Sequence, residues 1–179
     1  MPDSILVAYA TRYGSTQQVA EAVAAALRER GLAVDVQPMR KVENLARYSA
    51  VVLGAPLYIG RLQKDAQRFL AQHAGALAER PVAVFALGPL SGPTAEEDWR
   101  AAREMLDGEL ARYPSLAPVA RELFGGKYDP ARLRLADRLL AALPASPLHG
   151  QPASDVRDWA AIQSWAGELA SRLRPGLAA

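Results

Sequence analysis

The sequence contains no cysteine. Disulfides, thiolate metal sites and cysteine nucleophiles are thereby excluded. Histidine is scarce. His73 and His149 are the only two, they lie far apart, and neither has ligand-spaced neighbours, which argues against a metal centre. His73 reads as the end of a helix. A long apolar stretch is also missing. No run reaches the roughly 18 residues of a membrane-spanning helix, and no basic region followed by an apolar one marks a secretory signal. The expectation is a cytoplasmic protein without a transmembrane helix. Neither sign of charge dominates: 21 Lys and Arg stand against 19 Asp and Glu, a net charge of +2. With no dense basic stripe interleaved with aromatics, nucleic acid is not an expected partner.

What is present is ordinary globular composition. The chain of 179 residues is 50% hydrophobic and 22% charged, enough to build a core. No polar linker divides it, so a single domain over residues 1–179 is expected.

Continuous apolar runs at 5–10, 50–55 and 81–88 read as strands buried on both faces. The segment 33–37 alternates, with Val34 and Val36 facing one way, and so belongs at a sheet edge. A shorter strand at 119–124, broken by Arg121 and Glu122, is a second edge candidate. Helical periodicity follows the first strand as far as Arg30 (Val19, Val23, Ala26, Leu27) and recurs at 62–73 (Leu62, Ala66, Phe69, Leu70). Further helices are expected at 95–112, 131–143 and 155–174, with turn chemistry at 125–130 and a loop at 144–154. Trp99, Trp159 and Trp165 read as helix packing residues. Strands alternating with helices mean an α/β fold with a doubly wound five-stranded parallel sheet and helices on both faces. In such sheets ligands bind beyond the carboxyl ends of the strands. Three loops therefore matter.

The first is Thr11, Arg12, Tyr13, Gly14, Ser15 and Thr16, between the first strand and a long helix. Its three Ser and Thr hydroxyls can donate to phosphate oxygens, Gly14 permits a sharp turn, and the first amides of the helix offer unpaired donors at the positive end of its dipole. The alternative is that Ser15 or Thr16 merely caps the helix. The segment is neither a Walker A loop nor a dinucleotide fingerprint. The second loop holds Pro56, Leu57, Tyr58, Ile59 and Gly60. The third holds Leu87, Gly88, Pro89, Leu90, Ser91 and Gly92, whose Gly and Pro residues give close backbone approach. Both could equally be rigid turns.

The stretches 6–24, 51–70 and 157–170 resemble the flavodoxin-like family. That resemblance implies the strand order 2-1-3-4-5 and flavin mononucleotide (FMN) as cofactor. It assigns the phosphate to residues 11–16, one face of the isoalloxazine to the second loop and the pyrimidine edge to the third. Arg12 departs from the mostly neutral loop of small electron carriers; it either touches the phosphate or faces solvent. Within the family the chain looks most like the menaquinone-dependent protoporphyrinogen oxidase branch, through 54–60 and Arg157, Asp158 and Trp159. Tyr58 stands where that branch is expected to carry arginine, and 125–150 lacks the long basic, apolar segment of some members.

Flavin chemistry resides in the cofactor, so the chain need supply no catalytic acid. Ser15, correspondingly, lacks a Gly-x-Ser-x-Gly setting. A receiver domain is excluded, because the ends of its first and third strands would carry acids where this chain has Tyr9, Ala10, Gly54 and Ala55. An FMN-dependent oxidoreductase coupled to a redox partner, a quinone or a small-molecule substrate is the leading expectation. A soluble electron carrier ranks second, since such carriers are usually strongly acidic. A module that has lost its cofactor is the third alternative. Leucines and arginines at 131–143 allow a peripheral contact with an anionic membrane, or plain packing against the sheet.

Overall fold

The computed structural model describes residues 4–173. In chain order the elements are β1 (Ser4–Tyr9), α1 (Ser15–Glu29), β2 (Ala33–Pro38), β3 (Tyr48–Tyr58), β4 (Arg61–Leu62), α2 (Lys64–Gln72) and α3 (Ala74–Ala78). β5 (Val82–Leu87), α4 (Glu96–Leu110), β6 (Ala120–Phe124), β7 (Lys127–Tyr128), α5 (Leu135–Ala142), β8 (Ser154–Asp155) and α6 (Trp159–Arg172) complete the chain. Five strands form one parallel sheet in the order β2-β1-β3-β5-β6. Counting the parallel strands alone, this is 2-1-3-4-5. The alternating strand β2 and the charge-broken β6 occupy the two edges, where one side meets water.

The central strands are mostly apolar because helices cover both of their faces. Successive side chains of a strand point to opposite faces, so β1 splits between two cores. Leu6 and Ala8 join Leu53, Phe69, Leu70 and Leu106 beneath α2, α3 and α4. Ile5 and Val7 join Val19, Leu27, Phe85, Ile162 and Leu169 beneath α1 and α6. Gly54 sits in the middle of β3 because a Cβ there would lie 2.0 Å from Cζ of the buried Phe85 ring.

Several sequence expectations shift in detail. β3 runs on to Tyr58 rather than ending near residue 55, and turns back antiparallel through β4. The turn region after β6 contains β7, which pairs antiparallel with β8 across the intervening segment. Helix 131–143 shortens to α5, preceded by a 3-10 turn at Pro130–Arg132. The last helix starts at Trp159, with Asp158 accepting from the Ala161 amide at 3.0 Å as its N-cap; its expected last residue, Arg174, lies outside the described residues. Trp165 packs edge-on against Phe85 and Phe124, as expected of a core residue. Trp159 does not. It is 41% exposed, and the Arg157 guanidinium lies over its ring at 4.7 Å.

Candidate functional site

The loops after β1, β3 and β5 leave the same end of the sheet, beyond the strands' carboxyl ends, since the three strands are parallel neighbours. The first is closed by Thr11, whose Oγ1 accepts from the Gly14 amide at 2.9 Å. Gly14 has φ 88, in the left-handed region, and a Cβ added there would meet nothing within 4 Å. Glycine is needed for the backbone angle rather than for space. No side chain caps α1, so neither Ser15 nor Thr16 acts as its N-cap, and its first amides keep their donors. Thr16 is fully buried and its Oγ1 has no hydrogen-bond partner. Leaving a buried hydroxyl unpaired costs about 1–3 kcal/mol. An anion held at the start of α1 would relieve that cost, so these residues fit a phosphate group.

The second loop is a hairpin tip. Ile59 and Gly60 both have positive φ, 49 and 71, the pattern of a two-residue primed turn that matches strand twist. A β-branched residue in that region is strained, and Ile59 is 98% exposed. The hairpin is anchored from α4. Glu109, fully buried, pairs with Arg61 Nε at 2.9 Å and accepts from the Leu62 amide at 3.3 Å. Tyr58 stands half-exposed beside the tip, and burial raises its phenol above the ordinary value of 10.0.

The third loop folds back on the chain after β6. The Gly88 amide donates to the Phe124 carbonyl at 2.9 Å and the Gly126 amide to the Pro89 carbonyl at 2.8 Å. Side chains would not fit there: a Cβ on Gly126 would lie 2.8 Å from the Gly88 carbonyl oxygen. Trp99 Nε1 donates to the Gly92 carbonyl at 3.2 Å.

Together these loops wall a cavity of about 480 Å³, within the ordinary range of ligand pockets, roughly 300–1,000 Å³. Arg12, Tyr13 and Ser15 line it from the first loop, Pro56, Leu57, Tyr58 and Ile59 from the second, and Leu87, Gly88 and Leu90 from the third. Thr11, Gly14, Thr16, Gly60, Pro89, Ser91 and Gly92 shape the loops without lining the cavity. The opposite wall lies outside the three loops. It comes from 126–148, including Tyr128, Arg132, Leu133, Asp137, Leu140 and Leu148. Pairing of Lys127 with Asp155 and of Tyr128 with Ser154 brings that segment over the site. No local motif announces so short a ladder; the only legible sign was the run of leucines and arginines at 131–143.

Arg12, though partly exposed, is held by an ion pair. Its Nη2 donates to Asp137 Oδ1 of α5 at 2.7 Å, and the Tyr13 hydroxyl donates to the other oxygen of the same carboxylate. Burial, then that bond to Asp137, raises the Tyr13 phenol above 10.0. The leucines of α5 do not pack on the sheet. Leu135, Leu139, Leu140 and Leu143 are 74%, 64%, 60% and 53% exposed. Arg157, buried, ties the first loop to the C-terminal side of the fold. Its Nη1 donates to the Ser15 carbonyl at 3.3 Å and to Gln18 Oε1 at 2.8 Å.

Residues 6–155 match the family model described as flavodoxin domain. The chain is similar to "Protoporphyrinogen IX dehydrogenase [quinone]" of Escherichia coli (strain K12), at 27% identity over 176 residues, 92% of this chain and 93% of that one. It is similar over a shorter span to "NAD(P)H dehydrogenase (quinone)" of Cupriavidus metallidurans, at 33% identity over 93 residues, 40% of this chain and 47% of that one. Among solved structures, a flavodoxin of Streptococcus pneumonia TIGR4 superposes with a TM-score of 0.58 at 19% identity, covering 94% of this chain and 98% of that one. That degree of identity speaks for the fold alone.

Proposed function

The chain belongs to the flavodoxin domain family, which implies a flavin cofactor, and from that premise we propose that it is a single-domain, FMN-dependent oxidoreductase coupled to a quinone and similar in activity to the protoporphyrinogen dehydrogenases. The observation that carries the reading is the buried, unpartnered Thr16 hydroxyl at an uncapped helix N-terminus. Thr11, Ser15, Thr16 and the first amides of α1, from Ser15, would hold the phosphate. Arg12 and Tyr13 would sit beside it. Pro56, Leu57, Tyr58, Ile59 and Gly60 would flank the ring, and Leu87, Gly88, Pro89, Leu90, Ser91 and Gly92 its pyrimidine edge. Bound there, FMN supplies two-electron transfer between a reduced substrate and an acceptor. The chain's own work is to bind, orient and exclude water, and the apolar walls from Leu57, Leu87 and Leu90 serve that.

The acceptor is read as a quinone from the printed names of two relatives. A peripheral seat on an anionic membrane is consistent with this. Three exposed leucines on α5, and Leu143 just after it, stand beside Arg132, Arg134 and Arg138, and a basic amphipathic surface can rest on anionic lipid. No helix among the described residues is long and apolar enough to cross a membrane. A soluble electron carrier is the second reading, favoured by the likeness of fold to flavodoxins and disfavoured by the net charge of +2.

The test is an absorption spectrum of the purified protein, before and after FMN addition and dialysis. Retained bands near about 370 and 450 nm, as for an oxidised flavin, followed by quinone reduction with protoporphyrinogen or NAD(P)H, would support an enzyme. Bands without turnover would favour the carrier. No retained flavin would overturn both.

A further inference from the structure

Helix α5 and Leu143 just after it leave most of their leucines exposed, although Leu140 also borders the cavity. Leu135, Leu139, Leu140 and Leu143 are exposed, while Ala141 is buried and Asp137 is partly buried. One methyl group brings little apolar burial, so hydrophobic area is not what holds this helix in place. Polar contact does. Asp137 accepts from Arg12 at 2.7 Å and from the Tyr13 hydroxyl, and that hydroxyl in turn accepts from the Arg134 amide at 3.4 Å. The bond between His149 and the Ala142 carbonyl at 3.0 Å stays within the same segment and does not attach it to the sheet.

Arg12, Tyr13 and Asp137 all line the cavity. Arg12 is the one cation of the first loop, and Tyr13 adds a hydroxyl donor. Both are donors that a phosphate dianion at residues 11–16 would attract. The Asp137 carboxylate already claims them, with a side chain 18% exposed, where screening by water is weak. Two anions drawn to one guanidinium repel each other.

We propose that Asp137 is a counter-ligand: a phosphate group arriving in the first loop competes with it for Arg12 and Tyr13, so that α5 is latched over the cavity without phosphate and released with it. This rests on reading the first loop as a phosphate site. Release would swing Leu133 and Leu140 out of the cavity wall, and so open the apolar face by which an acceptor approaches. Coupling of this kind is reciprocal. Whatever latches α5 weakens phosphate binding by the same factor.

The opposite role, in which Asp137 merely positions Arg12 for phosphate, predicts the opposite sign. Titration of FMN into wild type and Asp137→Asn, followed by quenching of flavin fluorescence, separates the two. The latch predicts affinity about tenfold tighter in Asp137→Asn, within the usual span of coupling between sites. In wild type, amide hydrogen exchange across α5 is expected to quicken on adding FMN, and also on adding inorganic phosphate. Equal or weaker FMN binding by Asp137→Asn overturns the latch, as does slower α5 exchange in loaded wild type. The exchange arm needs no variant, so a poorly folding Asp137→Asn would not spare the idea. Wild type that binds no FMN overturns the flavin reading and the latch together, whereas binding with unchanged affinity in Asp137→Asn overturns the latch alone.

Discussion

Arg157 grips Asp155 with two hydrogen bonds, Nη2 to Oδ2 at 2.6 Å and Nε to Oδ1 at 2.8 Å. The same guanidinium reaches Ser15 and Gln18 at the start of α1. One buried cation thus joins the β7–β8 ladder, which carries the far wall of the cavity, to the loop read as the phosphate site. Replacing it by Ala is expected to cost about 1–3 kcal/mol, the scale of hydrogen bonds to a charged group, seen as a lower urea midpoint. Lys would restore only part, because an ammonium cannot reproduce the planar fork. Arg157 holds the Asp155 carboxyl below its ordinary 3.8. The stability this gives is present above that value and is lost as pH falls through the lower folded value. An Arg157→Ala variant whose acid unfolding profile matches wild type would refute the link.

Thr16→Val should separate stability from binding. The substitution is nearly isosteric and removes a buried hydroxyl without a partner, so the free protein is expected to be as stable or more so. FMN affinity should fall about tenfold, the worth of one hydrogen bond to a charged oxygen. Gly14→Val should fail for another reason: φ 88 strains any side chain. Unchanged FMN affinity in Thr16→Val, measured by fluorescence titration, would dismiss the first loop as the phosphate site.

His73 is expected to make the protein sensitive to mild acid. It is buried, its Nε2 has no partner, and burial lowers its pKa from 6.5, against a smaller opposing hydrogen bond at Val42. The folded ring stays neutral where the unfolded ring takes a proton. Stability is therefore flat above about 6.5 and declines as pH falls from there toward the lower folded pKa. Urea midpoints compared at about pH 7.5 and 5.5 should show the decline in wild type and a smaller one in His73→Leu.

Gly54→Ala should damage the core by overpacking. The new Cβ would lie 2.0 Å from Cζ of Phe85, in a sheet centre that cannot shift freely. A loss of about 1–3 kcal/mol is expected. Phe85→Leu in the same chain should recover part of it, giving a favourable coupling in a double-mutant cycle. Additive losses in thermal unfolding would contradict this contact.

Replacing Leu135, Leu139 and Leu143 by Ser should barely alter stability, within about 0.5 kcal/mol for each exposed site. If α5 rests on lipid, the triple variant should lose co-sedimentation with anionic vesicles, and added salt should weaken wild-type binding. Equal sedimentation of the two proteins would remove the membrane from the reading.

The sequence by itself determined the chain order of the five parallel strands and the main helices between them, the edge position of β2 and β6 and the three loops at one end of the sheet. Those features are local. Continuous apolar runs at 5–10, 50–55 and 81–88 are dictated by burial on both faces, and the sequence of hydroxyls around Gly14 is contiguous. Tertiary structure alone decided the second wall of the cavity, because the two-residue ladder of β7 with β8 joins positions distant in the chain and leaves no periodic trace. It alone decided the fate of Arg12, since its partner Asp137 lies 125 residues away. The leucines of α5 were legible as an apolar stripe, but a stripe does not say which way it faces. The clamp of Arg12 and Tyr13 on Asp137 sets Leu133 and Leu140 along the cavity and leaves Leu135 and Leu139 toward water.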